Sequence, residues 1–186
     1  LPEAAGGRRR DGRDLTREWQ DRHPGGVLAR DTAQLRAAIG APAILGLFAS
    51  EHMPYHHERD AGAQGTPDLA GMTRVAIEAL SSAPEGFVLL VESARIDHAH
   101  HAGNAYRALD ETIAMSRAVE AALAATSAED TLIVVTADHA HTLSFAGYPA
   151  RGNPILGTVR GRLSEHGHAQ DEMLDSLGLP YTTLSY

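Results

Sequence analysis

The 186-residue chain contains no cysteine. Disulfide scaffolds, thiolate metal sites and cysteine nucleophiles are therefore excluded. Lysine is absent as well, so all 16 basic residues are arginines. This removes Schiff-base chemistry and the Walker-type phosphate loop, both of which need a lysine ammonium group. Aromatic residues make up 5% of the chain, which leaves few platforms for stacking bases. The formal charge is −8 and the pI about 5.7, so no nucleic acid is expected as a dedicated partner. No apolar run approaches the ~20 residues that span a bilayer, and no transmembrane segment is expected. What is plentiful is histidine, with 11 copies beside 24 carboxylates. That balance favours binding a metal through nitrogen and oxygen.

The order of elements can be read from capping and hydrophobic patterning. Asp14 predicts an N-cap for a short helix, Leu15 to Arg22, stopped by Pro24-Gly25-Gly26. Asp31 or Thr32 predicts the cap of a second helix reaching about Ile39. Ala43 to Phe48 carries no charge, as expected of a strand buried on both faces. Ser50 to Gly65 reads as a long polar loop, with His52, His56 and His57 scattered along it. Thr66-Pro67-Asp68 opens a helix to about Ser82, with Leu69, Met72, Thr73, Ala76, Ile77 and Leu80 on one stripe. Phe87 to Val91 and Thr131 to Thr136 read as two further buried strands. Between them a long helix, Ala102 to Thr126, is expected to turn Leu109, Ile113, Val119 and Leu123 to the core. A short helix around Asp171 to Leu177 and a strand, Tyr181 to Leu184, close the pattern. Apolar strands alternating with helices predict an α/β fold, a mostly parallel sheet covered by helices. In such sheets ligands collect at the carboxyl ends of strands.

Two of the three predicted strands end near metal-type ligands. The first group is Glu92-Ser93-Ala94-Arg95-Ile96-Asp97-His98-Ala99-His100-His101. Asp97 and His101 are four residues apart, so one helical turn places both on one face. The second group is Thr136-Ala137-Asp138-His139-Ala140-His141. Zinc accepts imidazole nitrogen and carboxylate oxygen, whereas a lone carboxylate such as Glu92 better suits magnesium. Either group alone is ordinarily a solvated face or a capped loop. Both together, at the ends of apolar strands, predict a shared metal site.

These residues resemble the metal-binding core of alkaline phosphatases: Val91-Glu92-x-x-x-Ile96-Asp97-His98-x-x-His101, then Thr136-Ala137-Asp138-His139-x-His141. Flanking matches fall in family order, among them Gly46-Leu47-Phe48, Arg59-Asp60, Ala105-Tyr106-Arg107-Ala108-Leu109, Gly147-Tyr148-Pro149 and Pro180-Tyr181-Thr182. The resemblance implies a three-layer αβα fold with a mostly parallel sheet, of which residues 1–186 form an incomplete domain. It implies two zinc ions, one held by Asp97 and His101 and the other by Asp138 and His139, and a magnesium ion held by Glu92. His141 is implied to orient a ligand of the first zinc, and His98 to lie near bound phosphate. His100 receives no role from the resemblance and reads as a solvent-facing histidine. Ala49 stands where calcium-binding members carry an acid, so no calcium is expected. The implied reaction is hydrolysis of a phosphate monoester through a phosphoserine. No catalytic residue is assigned here, because the family's nucleophilic serine falls outside the matched region, as does its last zinc-binding histidine. The chain is thus expected to be a fragment of a larger enzyme, nearly inert alone and homodimeric when complete. The family suggests a periplasmic or secreted location. Two alternatives stand beside this reading: a fragment that binds metal or phosphate without turnover, and a related metallo-hydrolase of sulfate esters or phosphodiesters. The latter relatives lack a counterpart of Glu92.

Overall fold

A computed structural model describes residues 1–3, 6–161 and 172–186. It divides into two compact units: residues 1–93 with 111–135, and residues 94–110 with 136–186.

The first unit opens with α1 (Leu15–Arg22), and Asp14 caps it by accepting the Thr16 and Arg17 N–H groups. Strand β1 (Val27–Ala29) leads through α2 (Thr32–Ala37) to β2 (Ile44–Gly46). Asp31 is the α2 cap, bound by the Gln34 N–H at 2.7 Å. The two strands pair in parallel, Val27 opposite Ile44 and Ala29 opposite Gly46. This β-α-β unit is the described core of the α/β architecture. Ala29, Leu35 and Val75 are buried at its centre, with Ile39, Ile44, Phe48 and Met72 packed around them. The Val75 and Met72 side chains come from α3 (Leu69–Leu80), which Asp68 caps through the Gly71 N–H at 2.6 Å.

The expected long helix is α5 (Ala105–Ala125), and a separate short helix, α4 (Arg95–His101), precedes it with Gly103 at φ +60° between them. Only glycine adopts that left-handed turn cheaply, so α4 ends there. Within the first unit, α5 packs through alanines: Ala118 and Ala121 lie buried with Ala70 of α3. Ile113 and Leu123, expected in the core, are exposed instead. Small side chains occupy the buried side of α5, and the branched residues stand on its exposed side. Glu111 shares the alanine face and is 7% exposed. Its carboxylate accepts the His56 N–H at 2.6 Å and so ties down the short 3-10 turn His56–Glu58.

Three expectations fail locally. Residues 87–91 and 131–136 form no strand and carry no ladder among the described residues, and Val88 and Leu132 are 96% and 87% exposed. A parallel strand is buried only when neighbours flank it and helices cover both faces, and the described residues supply neither. The expected helix around Asp171 to Leu177 is not formed over residues 172–177. There the Asp175 carboxylate accepts the Leu177 and Leu179 N–H groups, a local turn that competes with a helix. Asp171 itself lies outside the described residues.

The second unit holds α4 and the first residues of α5, together with an antiparallel pair, β3 (Ser144–Phe145) and β4 (Leu184–Ser185). Val159 is wholly buried in it. Asn153 bridges its loops by donating to the Thr158 carbonyl and accepting from the Arg160 N–H, each at 3.1 Å. No helix of the described residues is long and apolar enough to cross a membrane.

Candidate metal centre

The second unit gathers five of the predicted side chains. Asp97 and His101 stand one turn apart on α4, and the His101 Nε2 lies 3.5 Å from Asp97 Oδ1. The chain after residue 136 brings Asp138, His139 and His141 to the same carboxylate. His139 Nε2 lies 3.6 Å from Asp97 Oδ1 and 3.4 Å from Asp138 Oδ2. His141 Nε2 lies 2.8 Å from Asp97 Oδ1. One ligand atom each from Asp97, His139 and His141 lies within 4.8 Å of the other two.

These separations fall into two kinds. Ligand atoms bound about 2.1 Å from one tetrahedral zinc lie about 3.4 Å apart. The His101–Asp97, His139–Asp97 and Asp138–His139 distances match that spacing. The His141 contact is shorter and is a hydrogen bond. An ionised carboxylate only accepts, so His141 Nε2 carries the proton and donates it to Asp97. That bond holds the Asp97 carboxyl below the usual carboxylate range, against desolvation, and His101, His141 and His139 add charge attraction.

The proton positions on His139 add a chemical test. Its Nδ1 lies 3.2 Å from the Ala140 carbonyl oxygen, which can only accept. Nδ1 therefore carries the proton, and in the neutral ring Nε2 presents a lone pair to two carboxylate oxygens. Such an arrangement is repulsive unless a positive charge lies between them, whether a proton or a cation. A backbone carbonyl that fixes the tautomer in this way is the usual support of a metal-binding histidine. The donor set of imidazole nitrogen and carboxylate oxygen thus fits a divalent cation. It also faces water, since Asp138 is 88% exposed.

The remaining residues take other places. Glu92 belongs to the first unit and is exposed. The Arg95 guanidinium donates to His98 Nδ1 at 3.1 Å. His56 accepts from Arg117 at its Nε2 (3.3 Å), and His57 Nε2 lies 3.6 Å from Glu58, as a polar loop would have it. Two further histidines, His166 and His168, to which the sequence assigns no ligand role, lie outside the described residues.

His100, expected to face solvent, is half-buried. Its ring stacks on His141, centroids 4.8 Å apart and 18° from parallel. Its Nδ1 lies 3.1 Å from the Tyr186 hydroxyl. Desolvation, and then the proximity of His141, push its imidazole below the ordinary value. The spacing holds a signal for this placement: His100 follows Asp97 by three residues and so shares its face of α4.

A family model described as alkaline phosphatase matches residues 2–178. The chain belongs to the alkaline phosphatase family. It is 44% identical over 190 residues to a membrane-bound alkaline phosphatase of Bombyx mori, covering 99% of this chain and 32% of that protein. It is 45% identical over 156 residues to the tissue-nonspecific isozyme of Gallus gallus, covering 81% and 30%. Among solved structures, Thermus thermophilus alkaline phosphatase superposes with a TM-score of 0.56 at 35% identity, over 63% of this chain and 24% of that one. A TAB5 alkaline phosphatase mutant with magnesium bound superposes with a TM-score of 0.62 at 20% identity, over 96% of this chain and 47% of that one, a likeness of fold. The chain spans about a third of the length of these curated relatives. Alkaline phosphatases are metal-dependent phosphomonoester hydrolases, and the cluster on α4 and residues 138–141 supplies donors of the required kind.

Proposed function

We propose that residues 1–186 are part of one alkaline phosphatase domain and carry most of the metal ligands of a phosphomonoester hydrolase. Asp97 and His101 hold one zinc ion, Asp138 and His139 hold a second, and Glu92 holds magnesium. The observation that carries this reading is the gathering of these side chains, with the Asp97–His101 pair at 3.5 Å and the Asp138–His139 pair at 3.4 Å, each at the spacing of two ligands on one cation. Divalent cations held by these residues would supply charge neutralisation to the phosphoryl oxygens of the substrate. The protein's own part is to fix the donors. α4 sets Asp97 and His101 on one face, His141 orients Asp97, and the Ala140 carbonyl fixes the His139 tautomer. His98 is assigned to meet the bound phosphate. The serine that accepts the phosphoryl group comes from outside this chain, and the complete protein is a homodimer.

Zinc titration tests the ligand assignment. Asp97→Ala and Asp138→Ala are each expected to weaken binding; wild-type affinity in both removes the assignment. The full-length protein should hydrolyse p-nitrophenyl phosphate in preference to a sulfate ester or a phosphodiester. Preference for the sulfate ester or the diester refutes the monoesterase reading.

A further inference from the structure

We propose that His100 and Tyr186 are positioning residues for the metal centre, a column of rings that fixes the angle at which His141 holds Asp97. The inference rests on the metal-centre reading above.

The His141–Asp97 hydrogen bond is a single contact at 2.8 Å. One such contact fixes the distance but leaves the imidazole plane free to swing about it. The near-parallel His100 ring, 18° from that plane, limits this freedom at the flat side, while the His101 and His139 rings border His141 at 5.0 and 5.2 Å. Offset aromatic pairs at such separations also attract beyond their burial. His100 is itself held at both ends. Its backbone belongs to α4, whose Ala99 is wholly buried. Its Nδ1 meets the Tyr186 hydroxyl at 3.1 Å, and the Tyr186 ring packs edge-on against it at 5.8 Å. Tyr186 arrives there because β4 pairs with β3, setting Ser185 opposite Ser144, three residues past His141. The described contacts of His100 are its ring face on His141 and its Nδ1 at the Tyr186 hydroxyl, so the ring is placed to act through His141. Asp97 and His100, three residues apart on one helix face, thus grip the same partner ring at its nitrogen and at its flat side.

The test uses the full chain and four variants: His100→Ala, His100→Phe, Tyr186→Phe, and Asp97→Ala as reference. The probes are zinc affinity, the visible spectrum of the cobalt(II)-substituted centre, and the His141 ring proton shifts of the metal-free protein. Removing a residue that orients a ligand typically costs about 10–100-fold in metal affinity. His100→Ala is expected to lose that much, to change the cobalt spectrum, and to move the His141 ring protons as the neighbouring ring current disappears. His100→Phe keeps the stack and should recover most of the affinity and the cobalt spectrum. Tyr186→Phe should fall between them. Wild-type affinity and an unchanged cobalt spectrum in His100→Ala, beside lost binding in Asp97→Ala, overturn the inference and leave the metal centre standing. Equal losses in His100→Ala and His100→Phe, with equal drops in melting temperature, also overturn it. Wild-type zinc affinity in Asp97→Ala overturns the metal-centre reading itself.

Discussion

Glu111 offers the sharpest test of how the first unit is held together. Its carboxylate sits on the alanine face of α5, 7% exposed, and accepts the His56 N–H at 2.6 Å. A hydrogen bond to a charged group contributes about 1.5–3 kcal/mol, and the stranded donor is part of that cost once the acceptor is gone. Glu111→Ala also removes one buried methylene, about 0.8 kcal/mol. Alanine's better helix propensity returns a few tenths of a kcal/mol. The expected net loss is about 2–3 kcal/mol. Glu111→Gln keeps an oxygen facing the same N–H and gives up only the charge assistance, so it should lose about half as much. Urea unfolding of the three proteins reads the difference as a shift in midpoint at constant slope. Amide exchange reads it at the atom: His56 N–H should be protected in the wild type and in Glu111→Gln, and exposed in Glu111→Ala. Equal midpoints for the two variants, or a His56 amide still protected in Glu111→Ala, refute the reasoning.

Three further outcomes are expected. Asp68→Ala removes the α3 cap and should cost about 1 kcal/mol, with faster exchange at the Gly71 amide as its local signature. Ala118→Leu forces a large side chain between α5 and α3 and should destabilise by about 1–3 kcal/mol in thermal or urea melts. The control is Ser116→Leu on the exposed side of the same helix, which should stay within about 0.5 kcal/mol of the wild type. Around α1, Arg13 donates to Glu18 at 2.8 Å and holds that carboxyl below its ordinary range, while the Thr16 hydroxyl and the Arg17 N–H do the same for Asp14. Groups with lowered values contribute stability above the ordinary carboxylate range and lose it as pH falls through the lowered ones. NMR of α1 should therefore show it intact through the ordinary carboxylate range and fraying below it. Arg13→Ala should move the Glu18 midpoint upward, and an unmoved midpoint contradicts the assigned cause.

What the sequence discloses, and what it hides, follows from the range of the forces involved. Asp14, Asp31 and Asp68 are readable as caps because each bonds an N–H two or three residues away. Asp97 with His101 is readable for the same reason, since helical spacing alone sets the pair. Asp138 and His139 are readable as metal-type residues, but their approach to Asp97 joins distant parts of the chain and rests on the resemblance. The alanine face of α5 is hidden because hydrophobicity points to Ile113 and Leu123, whereas close packing selects small side chains. Strand β1 is three residues long, too short for a pattern to rise above its surroundings. Segments 87–91 and 131–136 have the composition of buried strands, yet a strand is completed by its neighbours, which no local pattern supplies. The role of His100 is hidden by its partner: the Tyr186 hydroxyl lies 86 positions away.

Asp97 and His141 are 44 positions apart and touch. Only a cation shared by Asp97 and His139, which lie 3.6 Å apart across much the same gap, would act as a clasp on the polypeptide; one held by Asp97 and His101 alone, or by Asp138 and His139 alone, would not. By the loop-entropy relation used for disulfides, tying a ring of that size restricts the unfolded chain by about 4 kcal/mol. In a chain with no cysteine to draw on, such a shared cation would serve as its staple, and chelation would then lower the melting temperature.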